Sequence, residues 1–183
     1  MDEIVVTAKR LPGPFDTCLI ELLKHEGGFA NHPRDPGGAT MLGVTKRVWE
    51  EYTGKPATVA DMRALTVAKV APLYRERYWD TVKAEELPPP LAMCVFDFGV
   101  NAGPGRAAKM LQRLAGAAVD GQIGRGTLQA VQAYVTSHGV PETVRAYQNA
   151  RRVYYRSLGT FSTFGRGWLR RVDEVETAAL KLL

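Results

Sequence analysis

Apolar residues recur at helical spacing along most of the chain, and the interruptions mark its joints. Cys18, Leu19, Leu22 and Leu23 share one helix face, with Asp16 placed to cap the helix and Gly27-Gly28 to end it. Residues 29–44, rich in glycine and proline, lose the period and predict a loop or small β-hairpin. Thr45 can then cap a helix carrying Val48, Trp49 and Tyr52, and Thr58-Val59-Ala60-Asp61 reads as a capping box. Val67, Val70, Ala71 and Tyr74 extend the pattern to Trp79, with Pro72 a helix start or kink.

Pro88-Pro89-Pro90 is the clearest internal break, and the apolar run from Leu91 to Gly99 after it predicts a buried central helix. Val100-Asn101-Ala102-Gly103-Pro104-Gly105 turns from it into another helix, with Pro104 near the first turn. Leu128, Val131 and Val135, then Val144, Tyr147, Val153 and Tyr154, then Trp168, Val172 and Val175 give three more. The pattern predicts a mainly α fold with one small β element, preceded by an N-terminal arm over residues 1–14.

Composition changes this picture little, and charge changes it more. The 183 residues suit one compact domain, and 45% hydrophobic residues suffice for a core. No apolar run approaches the roughly 20 residues that cross a bilayer, and the acidic N-terminus lacks a secretory apolar region. Cys18 and Cys94 form no disulfide framework, and the three histidines lack metal-ligand spacing, so no metal is expected. The net charge of +5 is uneven: residues 1–91 hold 12 Lys+Arg against 13 Asp+Glu, residues 92–183 hold 12 against 6. A basic C-terminal half suits an anionic wall polymer, a nucleic acid or a membrane surface.

Glu26 is the first candidate for chemistry. Its spacing from Leu22 and Leu23 puts it on the apolar face, at the end of the helix before Gly27-Gly28. Desolvation and the negative end of the helix dipole both favour a carboxyl that keeps its proton, as a general acid requires. The plainer alternative is a surface glutamate at a frayed helix end. Asp35 follows nine residues later across the glycine-rich segment, where it can fold back to face Glu26 or simply brace the Asp35-Pro36-Gly37-Gly38 turn. Two carboxyls flanking a bond are the equipment of glycoside hydrolysis. Thr40 can position a water or serve as an ordinary strand residue.

These residues sit in His25-Glu26-Gly27-Gly28-Phe29, Asp35-Pro36-Gly37-Gly38-Ala39-Thr40 and Leu42-Gly43-Val44-Thr45, which together resemble the signature of glycoside hydrolase family 108. Tyr78-Trp79-Asp80 and Phe96-Asp97-Phe98-Gly99-Val100-Asn101-Ala102-Gly103 extend the resemblance over roughly residues 16–105. That family comprises lysozyme-like endolysins and secretion-activator muramidases of phages and bacteria. The resemblance implies a lysozyme-like helical fold with its hairpin near residues 29–44 and a catalytic region over 15–105. It also implies a muramidase that cleaves the β-1,4 bond between N-acetylmuramic acid and N-acetylglucosamine, without cofactor. Glu26 would be the proton donor, and Asp35 with Thr40, or Thr45 in its place, would hold the attacking water. The Glu-to-Asp interval is similar to that of inverting phage-type lysozymes. The sequence leaves the stereochemistry open, because it follows from the carboxyl separation, about 5 Å against 6.5–9.5 Å.

Val119-Asp120-Gly121-Gln122-Ile123-Gly124-Arg125-Gly126-Thr127-Leu128 and Phe164-Gly165-Arg166-Gly167-Trp168-Leu169-Arg170-Arg171-Val172 resemble the peptidoglycan-binding segment often found in this family. The implied segment covers residues 106–183, packed on the catalytic region. Asp120 and Trp168 are substrate-binding candidates there, with an Asx-type turn and a core tryptophan as the alternatives. Asn101 can bond a sugar N-acetyl group or occupy a left-handed turn. Tyr78 and Trp79, like Tyr52 and Tyr74, can stack on sugar faces or fill the core. Asp97, between Phe96 and Phe98, reads as a satisfied structural carboxylate more readily than as a catalytic one.

The implied partners are bacterial peptidoglycan and a holin-type pore, for a monomer that accumulates in the cytosol without a signal peptide and acts on the cell wall. A non-catalytic wall-binding or secretion accessory protein is the rival reading. Nucleic-acid binding by the arginine-rich helices has no motif behind it.

Overall fold

The computed structural model describes residues 13–31 and 38–183. Among these residues the chain forms nine α-helices and a two-stranded antiparallel sheet, a mainly α, lysozyme-like fold. No helix is long and apolar enough to cross a membrane.

Helix α1 (Pro14–Leu23) starts earlier than expected: Pro14 is its first residue, and Asp16 caps from the third position, accepting the Gly13 N–H at 2.9 Å. Proline, which breaks a helix from inside, is favoured at its first turn, so the Pro14 end of the expected arm belongs to the helix. The rest of that arm lies outside the described residues.

Strands β1 (Thr40–Met41) and β2 (Val44–Thr45) pair across the two-residue turn Leu42-Gly43, and Ala30 bridges to Thr40. Both turn residues have positive φ (51° and 74°), as a tight hairpin demands. Leucine pays sterically for that conformation, and the turn is held by Tyr74, whose hydroxyl donates to the Leu42 carbonyl at 2.8 Å.

Thr45 caps α2 (Lys46–Thr53), its hydroxyl accepting the Val48 N–H at 3.3 Å. Thr58 and Asp61 form the expected capping box of α3 (Val59–Arg63). Pro72 lies inside α4 (Val67–Tyr74), which runs straight into a single π-helical turn, Arg75–Trp79. The central helix α5 (Pro89–Ala102) is buried along nearly its whole length and packs on α1, α6 (Pro104–Ala115), α8 (Val140–Arg156) and α9 (Phe161–Leu180). Helix α7 (Arg125–His138) closes against α6 and α8. Of the residues expected on apolar faces, Val67 and Val153 turn outward, 42% and 64% exposed.

Candidate active site

Glu26 lies three residues beyond the end of α1, in a bend. The helix ends before it, so the expected place at the last helical turn does not hold, and its Oε1 accepts from Arg171 Nη2 at 2.9 Å. Arg171, on α9, is in turn anchored to Asp97 of α5, its Nε and Nη2 donating to Asp97 Oδ1 at 3.0 and 2.7 Å. Asp97 also pairs with Arg151 of α8 at 2.5 Å, both side chains being almost wholly shielded from solvent. Burial alone would raise the Asp97 carboxyl, but Arg151 and Arg171 outweigh it and hold the group below the usual carboxylate range. Asp97 is therefore the satisfied structural carboxylate of the plainer reading, and the anchor of the guanidinium that touches Glu26.

Around Glu26 is a cavity of about 220 Å³ between the hairpin turn, Tyr74, Tyr78 and the end of α5, with Val100, Asn101 and Arg171 on its wall. The hairpin presses close: a Cβ at Gly43 would lie 2.6 Å from the Tyr74 hydroxyl and 2.8 Å from Glu26 Oε2. Only glycine fits there, for its positive φ and for want of room. Replacing Gly43 with alanine should cost about 1–2 kcal/mol of stability. If the cavity is the reaction site, displacing Glu26 should also lower turnover about 10²-fold. Parallel melting and wall-clearing assays read both, and an alanine variant with parental activity would show that Glu26 does not need this contact.

Of the residues singled out by sequence for chemistry or sugar contact, Glu26, Tyr74, Tyr78 and Asn101 meet at this cavity. Asn101 is fixed from behind, its Oδ1 accepting from the Tyr155 hydroxyl, and Trp168 stacks on Tyr155 with ring centroids 5.2 Å apart. Thus Trp168 backs the wall that presents Asn101. Thr40 is on β1 outside the cavity lining, and the Thr45 hydroxyl is engaged as a helix cap. Asp35 lies outside the described residues.

Trp79, a candidate for stacking on sugar or filling the core, takes the core position: it is fully buried between Phe15 and Phe96, and its indole N–H donates to Glu85 at 3.0 Å. Asp120 braces its own loop, accepting from Gln112 Nε2 at 2.7 Å and from the Gln122 N–H at 2.8 Å. Thr127 joins it, accepting from the same buried Gln112 amide at 3.1 Å, so this motif acts as an Asx-type turn.

Sequence reasoning passed over Arg171 and Gly43 as parts of this constellation. Arg171 had a legible signal: with Trp168, Val172 and Val175 it occupies one face of α9, and a cation on an apolar face needs a buried partner.

Residues 19–103 match the family model described as glycosyl hydrolase 108, and residues 106–173 match that of a predicted peptidoglycan domain. A solved structure described as Brucella abortus SagA is 38% identical, superposes with a TM-score of 0.77, and aligns over 92% of this chain and 94% of its own. The chain belongs to glycosyl hydrolase family 108. No curated protein matches it. The family 108 match takes in Glu26, the hairpin and α5, whereas Arg171 falls in the peptidoglycan segment, so the Glu26 site draws on both. Together the two matches support a peptidoglycan-related, lysozyme-like function, with peptidoglycan as the partner.

Proposed function

We propose that this family 108 protein is an N-acetylmuramidase that cleaves the β-1,4 bond between N-acetylmuramic acid and N-acetylglucosamine. The observation that carries the reading is the Glu26 carboxyl, held by Arg171 at the edge of a cavity that also presents Tyr78 and Asn101. In the acid form of Glu26 one oxygen is a carbonyl acceptor and the other carries the proton. Arg171 can only donate, so it takes Oε1 and leaves the proton on Oε2.

From Oε2 the proton passes to the glycosidic oxygen as its bond to the muramic acid carbon breaks, and the glucosamine unit leaves as an alcohol. Water attacks that carbon and gives up its proton to Asp35, the role the family resemblance gives that residue. Transfer of that proton back through solvent restores Glu26. Tyr78 and Asn101 orient the sugars, the first by its ring and the second by its amide. Residues 15–105 supply the acid, and residues 106–183 supply the Arg171 clamp and wall affinity. Asp120 acts as a brace for that segment.

Mass spectrometry of fragments released from defined peptidoglycan tests the reaction. Reducing muramic acid ends are expected. Reducing glucosamine ends or anhydro-muramic acid ends would overturn the assigned bond or the hydrolytic step.

A further inference from the structure

A second and larger cavity, about 1070 Å³, lies between α6, α8 and the Asp120-Gly121 loop, at the upper end of the ~300–1,000 Å³ range of small-molecule sites. Arg106, Lys109 and Arg113 follow one another at helical spacing along the face of α6 that lines it. Among the described residues none of the three has a carboxylate within ion-pair distance, unlike the cations Arg151, Arg152 and Arg171 that α8 and α9 turn to one another's carboxylates and to α5; what sets the three apart from other unpaired surface cations is that they line one cavity. The one carboxylate on the rim, Asp120, has an oxygen already engaged by Gln112 and the Gln122 backbone.

Two of the cations are held in place. The Arg106 guanidinium lies 5.2 Å from the centre of the Tyr154 ring and donates to the Ala102 carbonyl at 2.6 Å. The Lys109 stem is pressed by the loop, where a Cβ at Gly121 would come within 3.0 Å of its Cε. The opposite wall, from α8, presents Ala150, the exposed Val153 and Tyr154.

We infer that this groove binds the acidic peptide stem of peptidoglycan, an inference that rests on the wall-polymer reading above. Sugars are recognised by neutral hydrogen-bonding groups and open aromatic faces, but here the Tyr154 ring is engaged by the Arg106 guanidinium, beside two further cations and the Ala150 and Val153 side chains. A stem peptide carries free carboxylates for the cations and alanine methyls and aliphatic chains for Ala150 and Val153. A phosphate polymer would match the cations and leave those two side chains without a partner. Arg106 is bonded to the carbonyl of Ala102, one residue along the chain from Asn101 of the Glu26 cavity, although the two cavities share no lining residue.

Titration calorimetry on the full chain carrying Glu26→Gln, which separates binding from turnover, tests this. The probes are an N-acetylated stem tetrapeptide with free carboxylates, its fully amidated form, a stem-free chito-oligosaccharide and a polyglycerol phosphate. The free-acid peptide should bind, the amidated peptide at least about tenfold more weakly, and the Lys109→Glu/Arg113→Glu variant should lose the difference. Equal binding of acid and amide would overturn the inference, as would no peptide binding at millimolar concentration. Binding of the phosphate polymer in its place through the same two cations would do so too. The acid–amide comparison uses the unaltered groove and holds even if the double variant folds poorly. Hydrolysis of stem-free glycan by the parent protein, measured alongside, reports on the muramidase reading alone: peptide binding without glycan cleavage removes that reading and leaves the groove standing.

Discussion

Replacing Glu26 with glutamine should lower cleavage of peptidoglycan by about 10²- to 10⁴-fold, the range a positioned general acid supplies. Glutamine keeps the size of the side chain and a carbonyl oxygen to accept from Arg171, so the contact with Nη2 survives in neutral form. It has no proton to give a leaving sugar at any working pH. The melting temperature should move little, because the exchanged atoms sit at the rim of a solvated cavity with the side chain 20% exposed. Turnover on purified sacculi together with a thermal melt reads both, and a folded variant that clears sacculi at the parental rate would remove Glu26 from the chemistry.

The second large effect is on stability. Asp97→Asn should cost about 3–5 kcal/mol, the usual result of removing one partner from a buried ion pair. Arg151 is fully buried and one of its terminal nitrogens already lacks a partner, so the neutral amide leaves a cation with nothing to offset it. Against typical domain stabilities of about 5–15 kcal/mol this is a large fraction.

The pH dependence follows from the same pair. Asp97 is depressed in the folded state relative to the unfolded chain, where an aspartate titrates near 3.9. Its contribution is therefore complete above roughly pH 4 and is lost as pH falls through the lower folded value. Urea unfolding at several pH values should show the parent losing stability below about pH 4, and the asparagine variant starting lower with that segment of the slope missing. A variant within about 1 kcal/mol of the parent would mean that solvent relieves the buried arginine.

Much of the fold was legible because its signals are local. The uninterrupted apolar run of α5, the caps Thr45 and Thr58, and Pro104 at the start of α6 each report on a few neighbouring residues. Glu26 was legible as a charge at apolar spacing before a double glycine, but its partner was not. Arg171 is 145 residues away, and helical periodicity says which face is buried without saying what lies opposite it. The same holds for Arg151, which shares its face of α8 with Val144, Tyr147 and Tyr155.

Which of Tyr78 and Trp79 faces the cavity was not legible, for a different reason. The π turn at Arg75–Trp79, closed by the Asp80 N–H donating to the Arg75 carbonyl at 2.9 Å, inserts one residue into the helical count. That extra residue leaves Tyr78 on the cavity and rotates Trp79 into the core, and no 3.6-residue period anticipates it.

The Arg171–Glu26 contact also bears on engineering. Lytic enzymes are often treated as interchangeable cassettes, with a cutting half and a targeting half that can be recombined. Here Glu26 accepts from a guanidinium of α9, so a chimera joined after residue 103 would discard that contact along with the residues that match the peptidoglycan model. A workable graft would have to retain α9, or supply a cation at the same point in space.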